Sequence, residues 1–174
     1  MLTVLTGGAR SGKSSLAVRL AESSGRSVHY VATAEPLDDE MADRIARHRR
    51  ERPAEWISHE VPIAVVEAMG AVPADATVIV DCLALWVSNQ FEEEDEVVMA
   101  RAAALARVLV EREGPSIVVT NEVGSGIVPE YAMSRRYRDV LGSVNQTIAR
   151  SADQAFLCVA GRALRLEDVD GIDV

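Results

Sequence analysis

Three kinds of side chain in this sequence could do chemistry on a phosphate: a lone lysine, a histidine among arginines, and an acid ending an apolar run. Lys13 is the sole lysine among 18 basic residues and stands inside Gly7-Gly8-Ala9-Arg10-Ser11-Gly12-Lys13-Ser14. That segment reads G-x-x-x-x-G-K-S, a loop whose backbone N–H groups and following helix N-terminus cradle phosphate oxygens. A compact ammonium on a flexible stem reaches the β- and γ-phosphates where a planar guanidinium fork would not fit. Ser14 would set its hydroxyl on Mg2+. A second metal-side acid is expected at the end of a neighbouring strand, and Asp81 supplies it after Thr77-Val78-Ile79-Val80. An acid there sits where α/β sheets bind ligands, and its competing reading is a strand-end turn residue. These features describe a magnesium-dependent user of ATP or GTP, which covers kinases, ATPases and GTPases alike.

The arginine cluster narrows the reading. Arg44, Arg47, Arg49, Arg50 and Arg52 crowd around His48. Met41, Ile45, His48 and Arg52 fall at i, i+4, i+7 and i+11, so they share one face of a helix. On spacing alone His48 is a core or interface histidine. Its flanks argue for more, because clustered guanidiniums disfavour an imidazolium and also form a phosphate clamp. A neutral imidazole beside arginines is suited to attack on a nucleotide α-phosphate. A solvated basic face is the plainer account of the same arginines.

The elements that must position these residues alternate between strand and helix. Leu2–Thr6 is an apolar strand feeding the glycine-rich loop, and Lys13–Glu22 carries helical periodicity. Ser27–Thr33 reads as a strand, Asp38–Arg52 as a helix capped by Asp38 or Asp39, and Ile63–Met69 as a short helix. Thr77–Asp81 is a β-branched strand, Leu83–Gln90 a helix, and Val97–Glu113 a long amphipathic helix ended by Gly114-Pro115. Ser116–Thr120 is a further strand before the glycine-rich loop Asn121–Pro129. Ser134–Ala152 is a helix and Gln154–Ala160 a last strand, with a short extension at Ala163–Leu166. Continuously apolar strands alternating with helices predict one α/β domain over residues 1–174, a mostly parallel sheet covered on both faces in the RecA-like manner.

Composition sets limits on partners. A net charge of −9 argues against nucleic acid, which needs a positive footprint. No apolar run approaches the length of a membrane span, and the N-terminus enters a strand rather than a signal peptide. Cys82 and Cys158 sit in or beside apolar runs and read as reduced core residues, as expected of a cytoplasmic protein. Glu92-Glu93-Glu94-Asp95-Glu96 reads as a solvated loop or helix start.

Four segments together carry a resemblance. They are Gly7–Ser14, Tyr30-Val31-Ala32-Thr33-Ala34, Asp38–Pro53 with its arginines and His48, and Thr120-Asn121-Glu122-Val123-Gly124-Ser125-Gly126-Ile127-Val128-Pro129. In this order, over almost the whole chain, they resemble the bifunctional adenosylcobinamide kinase / adenosylcobinamide-phosphate guanylyltransferase family. The resemblance implies that His48 takes GMP from GTP as a covalent phosphoramidate. It implies nucleotide binding by Gly7, Gly8, Ala9, Arg10, Ser11, Gly12, Lys13 and Ser14, with Ala32, Thr33 and Ala34 lining the site. Arg49, Arg50, Glu51 and Arg52 would join them, and Glu60 and Asp81 would complete the site. It further implies phosphorylation of the aminopropanol hydroxyl of adenosylcobinamide by ATP or GTP. Adenosylcobinamide phosphate and GTP would then give adenosylcobinamide-GDP and pyrophosphate. The family's assembly implies a homotrimer. Outside the resemblance, two other readings stay open: a kinase of another small metabolite with a structural His48, and a nucleotide-switched regulatory module.

Overall fold

The computed structural model describes residues 1–171. Strand β1 (Leu2–Gly7) leads through the glycine-rich loop into helix α1 (Lys13–Ser23). Strand β2 (Val28–Ala32), helix α2 (Asp39–Arg50), strand β3 (Ile57–Glu60) and helix α3 (Val65–Ala68) follow. Then come β4 (Thr77–Asp81), α4 (Leu83–Ser88), α5 (Asp95–Glu111) and β5 (Ser116–Val119). Helix α6 (Ala132–Arg150) precedes the closing strands β6 (Gln154–Val159) and β7 (Arg162–Leu166). The seven strands form one sheet in the order β3-β2-β4-β5-β1-β6-β7. Every pairing is parallel except β6 with β7.

Alternation along the strands divides the core in two. Val31, Val78, Val80 and Val118 face a cluster with Val65, Trp86, Leu105, Leu109, Leu141 and Ile148, so α3 to α6 cover that side. Tyr30, Ile79, Ile117 and Val119 face Ala17 and Ala21 of α1 on the other. The central strands are therefore mostly apolar on both faces, as a sheet covered on both sides requires, with Thr3, His29, Thr77 and Ser116 as buried polar exceptions. The helix starts are chemical as well. Asp38 caps α2 by accepting from the Met41 N–H at 2.7 Å. Asp39 and Glu40 open that helix and Arg47 to Arg50 close it, matching its macrodipole. Asp95 and Glu96 occupy the first turn of α5, which is what the acidic run becomes.

Several expectations need correction. The helix predicted to Arg52 ends at Arg50. The segment Ile63–Met69 gives only one α-turn, followed by a 3-10 turn at Met69–Ala71. The expected C-terminal extension is present as β7, and it pairs antiparallel with β6 because the Ala160-Gly161 turn, with both residues at positive φ, reverses the chain at once. Strand β3 was not predicted, since Ile57-Ser58-His59-Glu60 is short, mostly polar and exposed. It forms because β2 presents a free edge, and it brings His59 beside His29, with Nδ1 and Nε2 2.9 Å apart.

Leu109 is fully buried in α5. Its replacement by alanine is expected to cost about 2–5 kcal/mol of stability, read as a lower urea midpoint with unchanged slope. Burial, with His59 and Arg112 adding to it, lowers the His29 pKa from 6.5. The unfolded chain therefore takes up the proton first, so stability contributed at this site is complete above pH 6.5 and declines below it. Urea midpoints measured down through that pH should fall less steeply in His29→Gln than in the parent chain; equal slopes would refute this.

Candidate active site

The site begins where β1 stops. Gly7 adopts a φ of +145°, and a Cβ there would lie 2.2 Å from the Cys158 carbonyl oxygen, so only glycine lets the loop pass β6. Gly12 ends the loop at φ +100° as the residue before α1. The first hydrogen bond of α1 runs from the Leu16 N–H to the Gly12 carbonyl at 3.0 Å. The amides of Lys13, Ser14 and Ser15 thus precede the helical ladder and form the positive end of the helix. Lys13 is 7% exposed. Its ammonium donates to the carbonyls of Gly7 at 2.9 Å and Gly8 at 2.8 Å. Burial lowers its pKa, partly offset by Cys82, Asp81 and Cys158, and Arg44 adds to the lowering.

Asp81 does not lie on a strand adjoining β1. Strand β5 is inserted between them, with Asp81 level with Val119 and Val119 level with Leu5. Two strand spacings, about 10 Å, therefore separate the backbones. The side chains close the gap: Ser14 Oγ donates to Asp81 Oδ2 at 3.4 Å. The same oxygen accepts a short hydrogen bond from the Tyr30 hydroxyl. A hydroxyl and a carboxylate 3.4 Å apart beside the phosphate loop fit a hard divalent cation that keeps waters and phosphate oxygens as its other ligands.

The other predicted residues fall into distinct groups. Thr33 is fully buried, and all its polar groups serve the fold. Its hydroxyl donates to the Cys82 carbonyl and accepts from the Cys82 N–H, its N–H meets the Asp81 carbonyl, and its carbonyl takes Asn89. It braces the ends of β2 and β4, with Ala32 buried before it and Ala34 half-buried after. Glu60, at the end of β3, receives Arg49 at 2.8 Å and has Arg52 at 3.9 Å. Arg52 is largely buried, donates to Ser58 Oγ at 3.2 Å and stacks over Tyr30, 3.8 Å from the ring centroid. Arg50 and Glu51 are exposed. His48 is half-buried, as are Met41 and Ile45, so the predicted stripe is the inward face of α2. No residue of α2 is fully buried.

Sequence reasoning left Tyr30 and Trp56 without a role, although they stack at 6.4 Å beside Asp81 and Arg52. The available signal was an aromatic hydroxyl inside an otherwise apolar strand, where it must find a partner. The loop after β5 also starts at this site. The Glu122 N–H donates to the Gly7 carbonyl at 3.2 Å, and Asn145 holds both Thr120 Oγ1 and the Asn121 carbonyl. Of the buried side-chain polar atoms without a partner among the described residues, Thr6 Oγ1 and Arg52 Nε both flank this region.

A glycine-rich loop, a buried lysine and a strand-end acid one strand removed define a P-loop nucleotide-handling domain of RecA-like build. The solved RadB recombinase shares this fold, with a TM-score of 0.53 at 20% identity over 90% of this chain and 73% of that one. The flagellar accessory protein FlaH of Methanocaldococcus jannaschii matches at 0.50 and 18%, over 93% and 74%. A family model described as cobinamide kinase / cobinamide phosphate guanyltransferase matches residues 3–166, and the chain belongs to that family. Among curated relatives, the bifunctional adenosylcobalamin biosynthesis protein CobP of Pseudomonas aeruginosa is 42% identical over 96% of this chain and 98% of its own. The CobU proteins of Salmonella typhimurium and Escherichia coli are 36% and 34% identical, each over 96% of this chain and 100% of theirs.

Replacing Lys13 by arginine keeps the charge but cannot keep a point donor between two loop carbonyls. Phosphoryl transfer is expected to fall by about 10²-fold while the fold survives. Steady-state rates with circular dichroism check this; an arginine variant at full rate would contradict it.

Proposed function

We propose that the edge of the sheet built from the phosphate loop, Asp81 and the end of α2 carries both reactions of the family on nucleotides held at Gly7–Ser14. As a member of that family the chain is a cobinamide kinase and cobinamide phosphate guanyltransferase. The observation that carries the single-site reading is convergence. The Lys13 ammonium and Ser14 hydroxyl lie on one side of Asp81, while Arg49 and Arg52, the neighbours of His48, are tied on the other through Glu60 and Tyr30.

In the kinase reaction the hydroxyl oxygen of the aminopropanol arm attacks the γ-phosphorus of ATP or GTP. The bond to the β-phosphate oxygen breaks, the nucleoside diphosphate leaves, and the hydroxyl proton is released. Lys13 and the α1 amides neutralise charge on the phosphates, so the protein contributes mainly position and electrostatics. Ser14 and Asp81 would hold Mg2+, which supplies further charge neutralisation when bound. In the transferase reaction an imidazole nitrogen of His48 attacks the α-phosphorus of GTP. A P–N bond forms, the α–β bridging bond breaks, and pyrophosphate leaves. A phosphate oxygen of adenosylcobinamide phosphate then displaces His48, restoring the imidazole and giving adenosylcobinamide-GDP. Arg49, Arg50 and Arg52 would bind the phosphates during this exchange, joined by Glu51 and Glu60 at the nucleotide.

A homotrimer accords with the apolar surface left on the β6–β7 hairpin, where Val159 and Leu164 are 58% and 64% exposed. Among the described residues no helix is long and apolar enough to cross a membrane, and a cytoplasmic location fits the reduced state assigned to Cys82 and Cys158.

Incubation with α-labelled GTP tests the assignment of His48. An acid-labile adduct of one GMP per chain is expected, with release of pyrophosphate. His48→Asn should form none while still binding nucleotide. An adduct of full yield in that variant, or none in the parent chain, would overturn the covalent step.

A further inference from the structure

We infer that Tyr30 is a positioning residue linking the phosphate loop to the helix that bears His48, its hydroxyl orienting the Asp81 carboxylate and its ring seating Arg52 just beyond α2. The inference rests on the proposed function for the role of His48 as the guanylylated residue. The contacts themselves do not depend on it.

Tyr30 points from β2 toward the α1 side of the sheet, within an apolar cluster, and only 5% of it is exposed. Phenylalanine would fill such a place without a polar atom to satisfy, so a phenol here needs a partner. The partner is Asp81 Oδ2, the oxygen that also accepts from Ser14. One carboxylate oxygen thus takes a hydroxyl from the phosphate loop and another from β2, which fixes the carboxyl plane between them. Burial, followed by the adjacent Asp81, raises the phenol's pKa well above 10.0, so it stays a proton donor at any physiological pH.

The ring face does separate work. The Arg52 guanidinium stacks 3.8 Å above it, and Trp56 closes its flank at an interplanar angle of 27°. A desolvated guanidinium over an aromatic face is attracted by the ring quadrupole. This contact matters because α2 contributes no fully buried residue to the core. At the sheet edge it is tied by the Arg49–Glu60 ion pair at 2.8 Å and, just past its C-terminus, by Arg52, which stacks on Tyr30 and donates to Ser58. From Ser14 the contacts therefore run through Asp81, Tyr30, Arg52 and Glu60 to Arg49, the residue after His48. This run of contacts is the route by which Tyr30 would link Asp81 to the segment after α2.

Two variants of the full chain separate the hydroxyl from the ring. Tyr30→Phe removes only the donor. Its phosphoryl-transfer kcat should fall about tenfold, the usual consequence of losing the partner of a metal-side carboxylate, with a smaller change in KM. Calorimetry with a non-hydrolysable GTP analogue gives a readout that needs no turnover. The gain in affinity on adding Mg2+ should shrink in Tyr30→Phe, while affinity without Mg2+ stays near that of the parent. Tyr30→Leu removes the ring as well, and the rate of GMP loading, followed by intact mass, should then fall further than in Tyr30→Phe. Parent-like turnover and parent-like Mg2+ dependence in Tyr30→Phe would overturn the inference. So would losses in both variants that merely track the folded fraction measured by thermal unfolding. A parent chain that forms no GMP adduct removes only the His48 assignment, and the calorimetry still decides whether Tyr30 orients Asp81.

Discussion

The buried ammonium of Lys13 constrains this structure more than any other group. A charge withdrawn from water must be surrounded by oxygen dipoles, or its desolvation is uncompensated. Here the loop supplies them from its own backbone, the carbonyls of Gly7 and Gly8. For those carbonyls to turn inward, the chain must leave β1 at positive φ and pass within contact of the Cys158 carbonyl, which a side chain on Gly7 would block. Strand β6 must therefore lie beside β1, and α1 must start where the loop closes. The turn out of β1, its close passage beside β6 and the phosphate cradle are all shaped by accommodating one charge.

Around that fixed loop the rest of the site is assembled from elements of differing firmness. Strands β4 and β5 are fully embedded, so Asp81 and the Thr120–Glu122 segment are delivered by a rigid scaffold. Thr33 and Asn89 add cross-braces at the same edge, locking the ends of β2 and β4 and the segment before α3. Helix α2 is the opposite case. It lies on the domain with a half-buried face and is held by charged and aromatic contacts rather than by core packing. Elements with few buried apolar contacts are those that open or shift most easily. Under the proposed covalent role of His48, such a helix suits a histidine that takes up a nucleotide and releases it.

Much of this is legible in the sequence, for reasons specific to each element. The phosphate loop declared itself because glycine, lysine and serine are each demanded by backbone geometry or charge at fixed spacing. The helix bearing His48 declared itself through Asp38, the acidic first turn and the basic last turn. The central strands did so by continuous β-branched runs. Strand β3 could not be read, since an exposed edge strand is made by the free hydrogen-bonding edge of its neighbour and leaves little pattern of its own. The same absence hid the pairing of His29 with His59. Asp81 was recognised as a strand-end acid but was expected beside β1, because adjacency in a sheet is not written in a strand's composition.

By itself, then, the order of residues determined the local chemistry: which turns tolerate positive φ, which helices start where, which strands are buried on both faces, and which residues could handle phosphate. Those are consequences of backbone sterics, capping and hydrophobic periodicity over a few neighbouring residues. Only the tertiary structure decided which distant groups meet. It inserted β5 between Lys13 and Asp81, brought Ser14 and Tyr30 to one oxygen of that acid, and seated Arg52 on the tyrosine ring. Such meetings depend on strand order and helix placement, which are set by packing the whole sheet at once. That is why the sequence shows that the Tyr30 hydroxyl needs a partner but not that the partner is Asp81.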